Sequence, residues 1–170
     1  MEILEERREV KQIPVYDKDG RIEYYKIPNY SIREEILTNN ERKFLRTLIK
    51  VVQKLNEEYK KKNLYVQIST QVAINRIIDI NNKRNSALYE EIKDKSIDYV
   101  LYDINTGKIL VCIELDGKEH EKNEERQKRD ILIDKMFNGI VNLVHIKNQD
   151  EYDENVILNL LKSENSLFIN

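Results

Sequence analysis

The sequence predicts an α/β fold, because amphipathic helical patterns alternate with strand patterns along the chain. Two observations favour this class: an apolar stripe with helical spacing at residues 38–62, and two strand patterns joined by a tight turn at residues 96–116. The predicted order is a β-hairpin, a helix, a strand, a second hairpin, a helix, a strand and a closing helix. The 170 residues suit one compact domain with a single core.

Residues 12–27 predict the first hairpin. The segment 17–20 is typical of a turn, with glycine at the position where a positive φ is favoured. Pro14 has no amide hydrogen for a neighbouring strand, so its strand is predicted to be an edge strand. An exposed edge beside Tyr24 and Tyr25 is one candidate surface for oligomerisation.

The helix that follows is the most strongly predicted element. Thr38 is a good N-cap, and Thr38 and Glu41 have the spacing of a capping box. Apolar residues recur on one helical face: Phe44, Leu45, Leu48, Val51, Val52 and Leu55. The remaining predicted elements are a strand at 64–68, helical turns at 72–78 and 88–92, a helix at 121–138 ended by Gly139, a strand at 140–146 and a helix at 151–162.

Composition limits the class of protein. The net charge is −2, so any nucleic-acid contact requires a local basic patch, such as Lys60–Lys62 or Arg126–Arg129. No apolar run approaches the roughly 20 residues of a membrane span, and the first residues lack the apolar core of a secretion signal. One cysteine, Cys112, excludes an internal disulfide and favours a reducing cytoplasm. Together with His120 and His145 it makes a poor zinc site.

The stretch CIELDGKEH, residues 112–120, has charged residues at the end of a predicted buried strand. The turn before this strand, residues 105–107, ends in Gly107, where a three-residue hairpin loop favours a left-handed residue. Such a loop makes Ile104 face Lys108. A two-residue loop is the alternative, and it would move facing residues to opposite sides of the sheet.

The three-residue loop places Asp98 opposite Glu114, with Cβ atoms about 5 Å apart on one face of the sheet. Asp116 shares that face because strand side chains alternate. Carboxylates this close repel one another, and a divalent cation relieves the repulsion. Oxygen ligands suit Mg²⁺ or Mn²⁺, and such an ion can activate water and stabilise charge on a phosphate. The alternative is that the three acids only end strands or pair with lysines.

These residues together resemble the PD-(D/E)XK nuclease superfamily, in the branch near the very-short-patch-repair endonucleases. The pattern is Asp98, a hairpin, Glu114-Leu115-Asp116-Gly117-x-x-His120, a charged helix with Arg129-Asp130, and the strand VNLVHI. The resemblance extends from about residue 37 to residue 147. It implies a restriction-endonuclease-like core, with a central mixed sheet flanked by helices, at residues 37–170. Residues 1–36 would form an N-terminal extension that contains the first hairpin.

The resemblance also implies roles for individual residues. Asp98 and Glu114 would bind Mg²⁺ or Mn²⁺, with the backbone carbonyl of Leu115 as a further ligand. Glu41 matches an acid that the superfamily often carries on its first helix, although helix capping is a complete alternative explanation. His120 would be a proton donor or a phosphate ligand, and its alternative is a solvated loop residue.

One position departs from the superfamily pattern. The usual catalytic lysine, two residues after the glutamate, is replaced by Asp116. Another cation would then have to stabilise the phosphate, and the candidates are Lys118, Lys128 and Arg129. Arg129 is favoured because it lies in the matching Arg-Asp pair, although that pair is equally well explained as a structural ion pair. His145 is expected to be a structural histidine of a core strand.

The sequence therefore predicts a Mg²⁺-dependent endonuclease that hydrolyses phosphodiester bonds, with DNA as the expected substrate and RNA as the alternative. Asp116 would assist or orient water, and His120 with a nearby cation would stabilise the phosphate. The competing prediction is a nuclease-fold module without catalysis that binds DNA or another protein. The absent lysine and the low net charge favour this second class. Cleavage specificity, pathway and oligomeric state, a dimer included, stay open.

Overall fold

The computed structural model describes residues 12–26, 35–79, 87–117, 124–138 and 141–164. Contacts between residues group the chain into two compact units, Met1–Ile36 and Leu37–Asn170. Among the described residues, every helix is too short or too polar to be a membrane span.

The smaller unit contains the predicted hairpin. Strand β1, Gln12–Tyr16, pairs antiparallel with β2, Ile22–Lys26. The turn is closed by Asp17, whose carboxylate accepts a hydrogen bond from the amide of Arg21 at 2.8 Å. Gly20 has a φ of 75°, as the turn pattern predicts. The first hairpin is therefore confirmed.

The larger unit has helices and strands in the predicted order. Its main elements are α1 Asn39–Tyr59, β3 Val66–Ala73, α2 Ala87–Ile92, β4 Ser96–Asp103, β5 Ile109–Asp116, α3 Glu124–Phe137, β6 Leu143–Lys147 and α4 Glu154–Glu164. The strands form one sheet in the order β3-β4-β5-β6. Neighbouring strands are antiparallel except β5 and β6, which are parallel. The α/β class and the mixed sheet are thus confirmed.

Strand β3 is longer than predicted. The sequence pattern ends the strand at Ile68 and starts a helical turn at Val72, but Val72 pairs with Ile97 of β4. A short 3₁₀ turn comes later, at Ile74–Arg76. Pairing with the largely buried strand β4 outweighs the local pattern, because strand formation depends mainly on cross-strand packing.

Helices pack on both faces of this sheet. On one face, buried residues of α1 and α4 form a cluster with strand residues that include Tyr99 and Ile113. On the other face, Ile92 of α2 and Phe137 of α3 pack against Cys112. The two clusters follow the alternation of side chains over Tyr99–Leu101 of β4 and Val111–Ile113 of β5. Cys112 is fully buried in this second cluster.

The start of α1 is fixed against β4. The Thr38 hydroxyl accepts a hydrogen bond from the amide of Glu41 at 3.3 Å, and the Glu41 carboxylate accepts one from the amide of Thr38. The predicted capping box is therefore confirmed. The Tyr99 hydroxyl donates to the Glu41 carbonyl at 2.6 Å, and its ring packs edge-on against Phe44. Burial raises the pKa of Tyr99, so the hydroxyl remains a donor.

The turn between β4 and β5 differs from the predicted loop. The expected opposition of Ile104 and Lys108 is wrong, because Asp103 faces Lys108 and its amide donates to the Lys108 carbonyl at 2.9 Å. The amide of Ile104 instead donates to the carbonyl of Tyr65, at 2.9 Å. The loop therefore has one residue more than predicted. Gly107 does have the predicted positive φ, at 69°.

A β-bulge in β5 restores the predicted register further along the hairpin. Across this shift, β5 contains one residue more than β4, namely Leu110. Continuing the register beyond the bulge places Asp98 opposite Glu114. If the register of the turn had continued instead, Asp98 would face Ile113, and Glu114 would lie on the other face of the sheet. The opposition of the two acids therefore depends on the bulge as well as on Gly107.

Gly107 allows a test of the turn. Its φ of 69° is unfavourable for a side chain, although no atom of the described structure lies within 4 Å of an added Cβ. We expect Gly107→Ala to lower the free energy of unfolding by about 1 kcal/mol, through backbone conformation alone. Gly107→Asn should cost less, because asparagine tolerates this region better. Urea unfolding measures both variants, and an equal loss in both would contradict this reason.

Candidate functional site

A cleft of about 440 Å³ opens where β4 begins and β5 ends. Its lining includes five acidic side chains, from α1, β4, β5 and α3: Glu41, Asp98, Glu114, Asp116 and Asp134. Lys95 and His145 also line the cleft, as does Leu115. The structure thus brings together the four acids that the sequence singles out. It adds Asp134 and Lys95, for which the sequence carries no distinguishing motif.

Asp98 is partly buried in the wall of the cleft. Its carboxylate accepts hydrogen bonds from the amide of Leu115 at 2.9 Å and from the side-chain amide of Gln71 at 3.1 Å. The side chain of Glu114 lies within hydrogen-bonding distance of the same carboxyl group. Burial raises the pKa of Asp98, and the nearby charge of Glu41 adds to the rise, although the hydrogen bonds oppose it. A cation in the cleft would favour the ionised form that burial disfavours.

Glu41 makes the capping contacts that the sequence predicts and also lines the cleft. One carboxylate oxygen caps α1 through the amide of Thr38, and the other accepts a hydrogen bond from the Gln71 side chain at 2.8 Å. The capping explanation is confirmed by these contacts. The same side chain also lines the cleft, so capping does not remove Glu41 from the site.

Gln71 is a residue that the sequence reasoning missed. Its side-chain nitrogen lies within hydrogen-bond distance of both Glu41 and Asp98, and its side-chain oxygen accepts a bond from the Ser96 hydroxyl at 2.9 Å. The backbone of Gln71 has a φ of 51°, in the left-handed region. That conformation costs a side-chain-bearing residue about 1–2 kcal/mol. No turn residue marks the position, so neither the contacts nor the conformation could be predicted locally.

His145 lies between two acids of the cleft. Its Nδ1 is 3.0 Å from a carboxylate oxygen of Asp116, and its Nε2 is 2.9 Å from one of Asp134. The strand prediction for this segment is confirmed by β6, but the side chain is 36% exposed in the cleft. His145 is therefore a site residue by position, in contrast to the structural core histidine that the sequence suggests.

The two acids favour the protonated ring of His145. Burial lowers the pKa of His145, but the hydrogen bonds and charges of Asp116 and Asp134 outweigh burial and raise it above its ordinary value of 6.5. A neutral ring has a single donor, whereas the imidazolium donates from both nitrogens. The protonated ring can thus satisfy both contacts at once.

This arrangement predicts a pH-dependent contribution to stability. Because the folded-state pKa is raised, the stabilisation is fully present below pH 6.5 and is lost as the pH rises through the folded-state pKa. We expect wild type to melt roughly 1–3 °C above His145→Gln at low pH, since exposed ion pairs contribute little, and this difference should shrink as the pH rises. Thermal melts from pH 5.5 to 9 test this. A difference independent of pH would contradict it.

The donor set of the cleft is chemically suited to a hard divalent cation. Asp98 and Glu114 offer carboxylate oxygens, which Mg²⁺ and Mn²⁺ prefer. Each carboxylate oxygen has two lone pairs, so an Asp98 oxygen that accepts one hydrogen bond can still take another partner. Within the described ranges, no three or more His, Cys, Asp or Glu side chains are already arranged around one ion position.

Several predicted site residues lie outside the part of the chain that the structure describes. His120 and Lys118 fall in the undescribed segment 118–123. Arg129 belongs to α3, but its side chain is outside the described atoms, as is that of Lys128. The same helix contributes Asp134 to the cleft. The functional predictions for His120 and Arg129 therefore stay predictions.

The cleft lies within a region that matches a known family. Residues 33–163 match the family model DUF2726, described as a protein of unknown function. The chain belongs to the DUF2726 family. The DUF2726 region extends from before α1 into α4, so it includes every described residue that lines the cleft. No curated protein and no solved structure matches this DUF2726 chain.

Proposed function

We propose that this DUF2726 protein is a Mg²⁺- or Mn²⁺-dependent nuclease that hydrolyses phosphodiester bonds, with DNA as the preferred substrate. The observation that carries the proposal is the opposition of Asp98 and Glu114 across the β4–β5 hairpin. Three further acids line the same cleft. Acids with a raised pKa in a cleft are candidates for catalytic or ligand-binding roles.

The charge of the cleft supports dependence on a metal. Five acidic side chains line it against the basic side chains of Lys95 and His145, so the remaining negative charge would repel the phosphate of an incoming substrate in the absence of a metal ion. The exposed basic run Lys60–Lys62 follows the far end of α1. Since the 21 residues of α1 span roughly 30 Å, this run is too distant to offset the acids of the cleft.

Individual residues can be given roles on this proposal. Asp98 and Glu114 would hold the ion, with the carbonyl of Leu115 as a further ligand and Glu41 contributing from α1. The ion would lower the pKa of a bound water and offset charge on the phosphate. Asp116 would orient the attacking water or accept its proton, and its contact with His145 would fix its position.

The topology supports a restriction-endonuclease-like core. A mixed sheet flanked by helices is the architecture that the sequence resemblance implies, and β3-β4-β5-β6 forms such a sheet. Asp98, Glu114 and Asp116 lie on the β4–β5 hairpin of that sheet, where the resemblance expects them. We further expect the protein to act in the cytoplasm, which its single cysteine favours.

Incubation with supercoiled plasmid tests the proposal. Wild type should nick or linearise the DNA with Mg²⁺ or Mn²⁺ and should be inactive with EDTA. Glu114→Ala should be inactive with either metal, while the control Glu57→Ala, at an exposed position of α1, should cut like wild type. DNA binding without cleavage by wild type would overturn the proposal and support a binding module instead.

A further inference from the structure

We propose that Gln71 is a positioning residue for the metal site. Its side-chain amide holds the carboxylates of Glu41 and Asp98 in place. The inference rests on the proposed metal-dependent function and extends it to a strand outside the acidic hairpin. Gln71 belongs to β3, the neighbour of β4 in the sheet. Neither the sequence resemblance nor the family match assigns this residue a role.

The contacts of the amide carry the inference. Its nitrogen lies 2.8 Å from Glu41 Oε1 and 3.1 Å from Asp98 Oδ1, so its two hydrogens can serve both carboxylates. The hydroxyl of Ser96 lies 2.9 Å from the amide oxygen and donates to it. This third contact fixes the orientation of the amide, with its nitrogen toward the acids.

The two remaining contacts complete the positioning of the acids. The amide of Leu115 donates to the second oxygen of Asp98, at 2.9 Å, so both Asp98 oxygens are held. The second oxygen of Glu41 is held by the capping box at Thr38. Gln71 thus supplies a side-chain contact that links α1 to β4 through two acids of the cleft. Because the amide is neutral, it joins two acids without cancelling the negative charge that a divalent ion needs.

The backbone of Gln71 departs from regular strand geometry. Strands β3 and β4 keep the same pairing register on both sides of Gln71, but Gln71 and Asp98 are not paired with each other. At that gap Gln71 adopts a φ of 51°. Side-chain-bearing residues in such conformations persist where surrounding contacts hold them, and they cluster at functional sites. The departure from regular strand geometry coincides with the contact to the acids.

Two substitutions separate this role from a structural one. Gln71→Gly removes the amide and accepts a positive φ freely, and Gln71→Asn keeps an amide that is one methylene shorter. Both variants should therefore fold, and Gln71→Gly should melt no lower than wild type. Gln67→Ala is the matched control, because Gln67 is an exposed glutamine on the same strand.

Calorimetric titration of the full chain with Mn²⁺ provides the measurement. We expect both Gln71 variants to bind Mn²⁺ at least about 10-fold more weakly than wild type, and Gln67→Ala to bind unchanged. Wild-type affinity in either Gln71 variant would overturn the inference. Tighter binding would overturn it too, since the amide would then compete with the ion. If wild type binds no Mn²⁺, both this inference and the metal site fail.

Cleavage is measured separately, so that the two proposals can fail independently. Weakened Mn²⁺ binding in the Gln71 variants supports the positioning role even if wild type cuts no DNA, a result that would contradict only the nuclease. Conversely, metal-dependent cleavage by wild type together with unchanged Mn²⁺ binding in Gln71→Gly would overturn only the role of Gln71.

Discussion

Asp98→Asn and Glu114→Gln are each expected to weaken Mn²⁺ binding by more than about 100-fold. This loss is larger than the usual effect of changing a residue that only hydrogen-bonds to a metal ligand. Each substitution removes one negative charge and one ligand oxygen from the same opposed pair. DNA cleavage should fall to background in both variants. Glu57→Gln, which removes an exposed glutamate of α1, should leave Mn²⁺ affinity unchanged.

The metal-free variants should be at least as stable as wild type. Burial raises the pKa of Asp98 and Glu41 adds to the rise, so ionised Asp98 lowers the stability of the metal-free fold. For a carboxyl whose folded-state pKa is raised, stability falls as the pH rises through that pKa. Asparagine at this position does not titrate. The melting temperature of Asp98→Asn relative to wild type should therefore increase from pH 3.5 to pH 7.

Calorimetry with Mn²⁺ and melts in EDTA measure the two effects separately. A lost ligand weakens binding without unfolding the protein, whereas a purely structural acid would lower the melting temperature and leave the affinity of the folded protein unchanged. Wild-type Mn²⁺ affinity in both variants would contradict the assignment of Asp98 and Glu114 as ligands.

The elements that the sequence predicts well are those specified by local patterns. The capping box of Thr38 and Glu41 and the apolar stripe that follows it fix α1 within one stretch of chain. Gly107 marks the second turn in the same way, because a positive φ is a local requirement. The glycine alone does not determine the length of the loop. The predicted loop makes Ile104 face Lys108, whereas Asp103 faces it in the structure.

The features that the sequence does not predict depend on partners distant in the chain. The bulge at Leu110 restores the opposition of the acids, so the predicted pair is found although the predicted loop is wrong. Gln71 contacts acids 27 and 30 positions away, and His145 bridges two acids from different elements. Such contacts exist only once the sheet has formed, because no local pattern encodes them.

A second expected result concerns the positive charge needed at the cleft. Cleavage builds negative charge on the phosphate, and a nearby cation or proton donor stabilises it. Asp116 stands at the position of the usual lysine, and its carboxylate lies 3.0 Å from His145 Nδ1. Both nitrogens of His145 face carboxylates, so its charge is shared with Asp116 and Asp134. The residues that stabilise the phosphate are therefore expected elsewhere.

Arg129→Ala and His120→Ala are each expected to lower cleavage by about 100-fold or more, the effect of losing one electrostatic or acid–base group. Arg129 precedes Ile133, a residue of the cleft lining, by four positions in α3, which is the spacing of about one helical turn. His120 follows the acidic hairpin by four residues. Lys118→Ala should have a much smaller effect.

Lys95→Ala is the comparison that the structure adds, because Lys95 lines the cleft. Plasmid cleavage is measured for all four variants across a Mg²⁺ and Mn²⁺ titration, so that weaker metal binding is not mistaken for slower chemistry. Asp130→Asn tests whether the loss in Arg129→Ala comes from an ion pair between Arg129 and Asp130, since it would remove such a pair while keeping Arg129. Folded Arg129→Ala and His120→Ala variants that cut at the wild-type rate would contradict the prediction. A loss of about 100-fold in Lys95→Ala alone would instead identify Lys95 as the cation that replaces the lysine.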